Sequence, residues 1–319
     1  YGDYHSLKNK ILNINDVKNY NKEIKNLERK ITLFSNKIIE NIKNQLTEKK
    51  RKIDLIGFHG QTILHDPNNK FSLQIGDGKI LSQISNIKVI YNFRSNDLKN
   101  GGEGAPLVPL FHKLLIDKKK IKPPISILNL GGIANITSIN NEGNISSLDI
   151  GPGNCLIDMW TRLNSNKSFD HKGELAREGS INKIILNQSL ENFYDSQISS
   201  KKSFDISDFD LSFVRGLSLK DGLATLTEFT AEICSKKIFG KRILVCGGGR
   251  KNIFLIERIE KKIKGKIERI DNLEINGDFV ESQAFAYLAV RSYLKLPISF
   301  PETTGCREPC TGGVLAKNF

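Results

Sequence analysis

Apolar Ile24, Leu27, Ile31 and Phe34 recur at helical spacing within residues 17–52, with Glu and Lys between them. This stretch is predicted to form one or two long surface helices packed on a sheet. The texture changes at Ile53. From there, short runs rich in Ile, Val, Leu and Phe end in polar or glycine-containing turns. Residues 53–58 precede His59-Gly60-Gln61, residues 71–75 precede Gly76-Asp77-Gly78, and residues 88–93 precede Arg94-Ser95. Such runs read as strands. Residues 101–109 read as a Gly/Pro loop, residues 110–116 as a helix, and Pro123-Pro124 as a lobe boundary.

Beyond that boundary, residues 125–129 form a buried-type strand that turns through Gly131-Gly132 into a second strand at 133–139. Residues 149–154 (DIGPGN) pass from strand to turn and open a helix carrying Asp158 and Trp160. A long helix starts near Leu219 and is expected to end near Gly240, a residue suited to the position after a helix. Residues 242–246 are a strand running into Gly247-Gly248-Gly249. Residues 281–294 are helical, with Ala284, Phe285, Leu288 and Ala289 on one stripe. Strands alternating with helices predict an α/β fold on a mostly parallel sheet. Two lobes are expected, residues 1–124 and 125–319, with the final residues packing back on the first.

Composition narrows the class. The chain has 319 residues, 39% hydrophobic and 26% charged, which is globular and long enough for two cores. No stretch approaches the roughly 20 apolar residues of a membrane helix. Five cysteines are sparse and odd in number, which argues for a reducing compartment. The net charge of +13 comes from lysines spread along the chain, so it describes a solvated basic surface. It does not describe a nucleic-acid groove.

The candidate chemistry lies in the turns. In open α/β sheets ligands sit outside the carboxyl ends of the strands. Glycines there let backbone N–H groups approach phosphate oxygens. Gly131-Gly132 and Gly247-Gly248-Gly249 fit that role, although neither matches the GxGxxG or P-loop pattern. Asp149 ends a strand just before Gly151-Pro152-Gly153, where a carboxylate can take a proton from water or a sugar hydroxyl. An Asx-turn or helix cap is the other use of an Asp at such a junction. His59, Gln61, Arg94, Asp97 and Glu281 are polar groups of the kind that bind polyols, and Arg94 offers a fork for a carboxylate. Cys306 and Cys310 lack CxxC spacing and a local His, which argues against a structural zinc site. Cys155 and Cys246 lie in apolar runs and read as small core residues.

Taken together, eight segments in order resemble the anhydro-N-acetylmuramic acid kinase family. They are HGQT (59–62), QIGDG (74–78), FRSND (93–97), GGEGAPLVPLFH (101–112), LNLGGIAN (128–135), DIGPGNCLIDMW (149–160), LVCGGGRKN (244–252) and ESQAFAYLAVR (281–291). The resemblance runs from about Ile53 to the C-terminus, including TTG at 303–305 and TGG at 311–313. It implies a two-lobed actin/hexokinase/heat-shock chaperone-like (ribonuclease H-like) α/β fold. It also implies ATP and Mg²⁺ as cofactors. The implied reaction opens 1,6-anhydro-N-acetylmuramic acid with water and phosphorylates it at O6, giving N-acetylmuramic acid 6-phosphate in cytoplasmic peptidoglycan recycling.

Carried over position by position, Asp149 matches the family's catalytic base. His59, Gln61, Arg94 and Glu281 match positions that line the sugar site. Gly131, Gly132 and Asn135 lie in what resembles a phosphate hairpin, Gly151, Gly153 and Asn154 follow the base, and Gly247, Gly248 and Gly249 resemble the adenosine-side turn. The metal ligands stay unassigned. The implied partners are the anhydro amino sugar and ATP, with no nucleic acid and no membrane; a homodimer is left open. A kinase of another sugar, or a non-catalytic nucleotide-binding actin-like protein, are the competing readings. Two departures stand out. The family's opening Met-Ser-Gly-Thr-Ser-x-Asp-Gly type turn, a first phosphate hairpin, has no counterpart in residues 1–52, so the sequence is expected to be a fragment with an incomplete N-terminal lobe. The stretch Lys202-Ser203-Phe204-Asp205 only partly follows the family pattern.

Overall fold

The computed structural model describes residues 2–196 and 204–318. The chain divides into two compact units, one of residues 1–111 with 282–319, the other of residues 112–281. Lys202 and Ser203 of the departing stretch lie outside the described residues.

In the first unit, strand β1 (Leu55–Phe58) pairs in parallel with the strand Lys88–Tyr91, which also pairs antiparallel with Val314–Ala316. Between them in sequence, β2 (Gln61–Asp66) and β3 (Phe71–Ile75) form an antiparallel hairpin, and Lys88–Tyr91 is β4. The predicted run 71–75 is β3. The partner strand β2 and the helix Gly78–Ser85 were not legible, because HGQ and GDG both read as plain turns. Asp77 explains the second: its carboxylate accepts the N–H groups of Lys79 and Ile80 and caps that helix. The long N-terminal helix spans Asn21–Glu48. Ile24 and Leu27 are buried as the spacing predicts, but Phe34 is 65% exposed. Thr32 takes the inward place, donating its hydroxyl to the Glu28 carbonyl at 2.8 Å and accepting the Asp77 N–H at 3.0 Å. Where this helix meets the turn after β3 it faces backbone donors, and hydrogen bonding outweighs apolar burial there.

The second unit holds a five-stranded sheet of β5 (Ile125–Leu130), β6 (Ala134–Ile139), β7 (Ile145–Gly151), β8 (Arg242–Cys246) and β9 (Lys266–Arg269), in the order β7-β6-β5-β8-β9. β5, β6 and β7 are an antiparallel meander, while β8 and β9 run parallel to β5. The expected mostly parallel sheet is therefore mixed. Residues 131–133 and 140–144 are too short for the crossover of about a dozen residues that a parallel pair needs. The longer β7–β8 and β8–β9 connections carry helices and do support parallel pairing.

The helix Leu219–Ser235 is buried along most of its length. It packs against Trp160, whose indole N–H donates to the Leu219 carbonyl at 3.1 Å. It stops at Ser235, short of Gly240. One continuous core joins Leu128, Ile136, Ile150, Trp160, Leu226 and Val245.

Candidate active site

Strands β5, β7 and β8 each deliver a glycine turn at their carboxyl ends, and these turns pack on one another. The Asn154 N–H donates to the Gly131 carbonyl at 2.9 Å, and the Cys155 N–H to the Gly132 carbonyl at 3.1 Å. Gly153 has φ +52, and a Cβ there would lie 2.5 Å from the Gly131 oxygen and 2.8 Å from the Gly132 oxygen. A Cβ on Gly249 would collide with Leu130 and with the Asn154 amide. These glycines are needed for the turns to reach each other. Gly131, Gly132 and Gly248 are of another kind. A Cβ on Gly248 would meet nothing within 4 Å, and one on Gly131 or Gly132 would come no nearer than 3.3 Å to any atom. Gly248 therefore faces open space, whereas Gly131 and Gly132 each have one close neighbour, the Ile133 carbonyl and the Ile206 side chain.

Arg250 fixes the β8 turn. It is 3% exposed, and its Nε–H and Nη2–H donate to the two oxygens of Asp271 at 2.7 and 3.0 Å. Its Nη1 donates to Asp278 at 2.7 Å and to the Gly247 carbonyl at 2.9 Å. Arg250 and Lys251 together hold the Asp278 carboxyl well below the usual carboxylate range.

Asp149 stands opposite Asn135 in the β6–β7 ladder, next to a register shift at Ala134/Asn135. The carboxylate is 7% exposed, and its Oδ2 accepts the Phe204 N–H at 2.8 Å. Lys237 is its electrostatic neighbour: burial lowers the ammonium pKa and the Asp149 charge pulls it back up. The same ammonium lies 5.5 Å from the Phe204 ring centroid. Glu281 is exposed in the first turn of the helix Val280–Tyr293. Its charge adds to the burial that pushes the Cys246 thiol up to about 12. Burial likewise pushes the Cys155 thiol up to about 12, so both are protonated core residues at neutral pH.

In the first unit His59 follows β1 and Arg94 follows β4 at the same end of two paired parallel strands, which brings the two side chains together. Arg94 donates from Nη2 at 2.9 Å and Nε at 3.2 Å to Nε2 of His59, and from Nη1 to the Gly104 carbonyl at 2.8 Å. A guanidinium has only donors, so Nε2 is the accepting nitrogen and Nδ1 carries the proton, donating to the Gly60 carbonyl at 3.0 Å. Burial, reinforced by the Arg94 charge, lowers the His59 pKa to about 3. His59 is therefore neutral and orients Arg94. The Nε–Nη2 fork that would grip a carboxylate is turned to the imidazole. Gln61 is exposed at the start of β2, opposite Ile75.

Lys237, Arg250 and the Phe204 amide were missed as participants in this arrangement. Only Arg250 had a local signal, its place directly after the three glycines. Lys237 sits in an ordinary Lys-rich turn.

Glycine turns thus gather at strand ends around a nearly buried carboxylate on a mixed α/β sheet, which makes this an α/β protein with its candidate site at the strand ends. More narrowly, the chain belongs to the anhydro-N-acetylmuramic acid kinase family, whose model matches residues 4–318. It is 49% identical over 333 residues to the anhydro-N-acetylmuramic acid kinase of Pelagibacter ubique, covering 100% of this chain and 88% of that one. The Zymomonas mobilis protein of the same name is 42% identical over 267 residues, covering 82% of this chain and 72% of that one. Among solved structures, component A of the Acidaminococcus fermentans (R)-2-hydroxyglutaryl-CoA dehydratase is 13% identical, with a TM-score of 0.39 over 67% of this chain and 82% of that one.

Proposed function

We propose that this protein is an ATP-dependent kinase that adds water across the anhydro bridge of 1,6-anhydro-N-acetylmuramic acid and phosphorylates the freed O6. The membership of the chain in a family named for that activity carries the reading. Asp149 takes a proton from water as the water oxygen bonds to the anomeric carbon. The bond from that carbon to O6 breaks, and O6 accepts the γ-phosphoryl group as the bond from the γ-phosphorus to the bridging oxygen of ATP breaks and ADP leaves. The low exposure of Asp149 and its Phe204 N–H partner suit a carboxylate held in one orientation for that transfer.

Gly248 offers backbone toward open space, as phosphate oxygens require, and Gly131 and Gly132, each with one close neighbouring residue, are assigned to phosphate with it, while Gly151, Gly153, Asn154, Gly247 and Gly249 build the packed turns. Asn135 stands opposite the base in the ladder. Arg94, oriented by His59, is assigned to the sugar, with Gln61 and Glu281. Mg²⁺ is usually held through one or two carboxylates together with substrate phosphates and water. At the glycine turns Asp149 is assigned as the base and Asp271 and Asp278 are held by Arg250, so the ion would be held mainly through substrate phosphates and water, and it would neutralise charge on the transferring phosphoryl group. No helix among the described residues is long and apolar enough to cross a membrane. A cytoplasmic role in peptidoglycan recycling, acting on a small sugar with ATP as the second substrate, completes the proposal.

Coupled release of ADP with 1,6-anhydro-N-acetylmuramic acid tests it. Turnover that depends on the anhydrosugar is expected. Preference for a plain hexose, or nucleotide binding without turnover, would overturn it.

A further inference from the structure

Away from the groups assigned above, the first unit buries one compact cluster of thiol and carboxylate chemistry. A carboxylate oxygen of Asp97 and the sulfurs of Cys306 and Cys310 lie within 4.8 Å of one another, all three residues buried. Asp97 is 1% exposed. Its Oδ2 accepts the Gly104 N–H at 2.6 Å, and its Oδ1 accepts the Thr304 hydroxyl at 2.6 Å, with the Cys310 thiol 3.8 Å from the same oxygen. Ser299 Oγ lies 3.0 Å from the Cys310 sulfur. Both cysteines are free thiols, and the residues between them, Arg307, Glu308 and Pro309, are exposed. The pair thus sits directly beneath one surface turn. Gly305, which leads into it, has φ +75 and open space around its would-be Cβ.

We propose that Cys306 and Cys310 are a redox modification site that closes to an intramolecular disulfide under peroxide and reopens with a dithiol reductant. One thiolate attacks a peroxide oxygen, the O–O bond breaks, and a sulfenic acid and water form. The second thiol then attacks that sulfur, expelling the hydroxyl as a second water. Two thiols are oxidised and one hydrogen peroxide is reduced to two waters. Burial pushes the Cys310 thiol up to about 11, so the reaction quickens as pH rises and thiolate becomes available. A thiophilic cation fits less well. The cluster has no imidazole, and both Asp97 oxygens already accept protein donors.

Closure removes the Cys310 S–H from Asp97. The Asp97 carboxylate holds Gly104, and the Gly104 carbonyl holds Arg94. Oxidation is therefore transmitted to the Arg94 loop; this consequence rests on the proposed sugar role of Arg94, whereas the disulfide itself does not.

The test is a peptide map of the full chain after hydrogen peroxide at mildly alkaline pH, with remaining thiols alkylated. Trypsin cuts after Arg307, so the Cys306 and Cys310 peptides stay joined only if the disulfide has formed. The expected result is that joined pair, with free thiols falling from five to three, reversed by dithiothreitol. Cys306→Ser and Cys310→Ser should each abolish it; the wild-type map decides the matter if either fails to fold. Both thiols remaining alkylated would overturn the proposal. So would stoichiometric zinc bound to the reduced chain and shielding both from alkylation. In the oxidised enzyme the sugar KM should rise about fivefold, with the ATP KM unchanged. An unchanged sugar KM beside a mapped disulfide would overturn the link to Arg94. Absence of turnover in the reduced wild type would count against the kinase reading, while the map would still decide the disulfide.

Discussion

The Arg250 guanidinium grips both oxygens of Asp271, through Nε at 2.7 Å and Nη2 at 3.0 Å, and reaches the Gly247 carbonyl with Nη1 at 2.9 Å. One buried cation thus connects an ion pair to the glycine turn after β8. Arg250→Ala takes its side-chain donor from that carbonyl and the two-pronged partner from Asp271, while Asp278 keeps only Lys251. It should lower stability by about 3 kcal/mol in urea unfolding and weaken nucleotide binding. Arg250→Lys should recover only part of this, because an ammonium cannot make the two-pronged contact.

The two kinds of glycine should separate in mutagenesis. Gly249→Ala and Gly153→Ala force a methyl into neighbouring backbone or side chains. Each should cost about 2 kcal/mol or more, seen as a lower melting temperature. Gly248→Ala meets open space and should fold with nearly wild-type stability. If that backbone faces phosphate, its loss should appear in nucleotide affinity, measured by calorimetry.

Asp149→Asn keeps the shape and an oxygen able to accept the Phe204 N–H. Turnover should fall by about 10²–10⁴ while nucleotide affinity stays within about twofold. Unchanged turnover would remove Asp149 from the role of base.

His59 gives stability a defined pH dependence. Its pKa is about 3 in the fold against 6.5 for the ordinary group, so the unfolded chain binds the proton first as pH falls. The contribution is complete above 6.5 and is lost progressively toward 3, at up to about 1.4 kcal/mol per pH unit. His112, lowered to about 4 by burial, acts in the same direction. His59→Gln should therefore show a shallower loss of urea midpoint between pH 7 and 5 than the wild type, the remaining slope including His112, which adds to the loss, and Asp158, which opposes it.

Asp158 acts oppositely. Burial, helped by the Asp170 charge and opposed by Arg162, raises its pKa to about 6. The folded chain holds this proton more tightly than the unfolded one. Stability from it is present below about 4 and lost as pH rises through 6. Asp158→Asn should stabilise the protein by about 2 kcal/mol at pH 8 and by almost nothing at pH 4, measured by thermal melts.

Much of the local structure was legible. The long N-terminal helix, β3, β8 and the hairpin through Gly131-Gly132 follow from periodicity and turn chemistry, which act over a few residues. Phe34 escaped this reading because apolar spacing marks which positions share a helix face and says nothing of polar turns that the face meets. The mixed sheet escaped for a related reason. Strand direction depends on connection length and pairing partner, and alternation of strands and helices records neither.

The sequence by itself determined the glycine turns, their order, the carboxylate at the end of β7 and the family to which the chain belongs. Each is written in contiguous residues. Only the tertiary structure decided which glycines pack and which stay open, that His59 is neutral and spent on Arg94, and that Arg250 anchors a turn. It also decided that Asp97 meets Thr304, 207 positions away. Such partners are chosen by packing and desolvation across the folded chain. A buried charge must find donors wherever the fold brings them, and no local pattern records where that is.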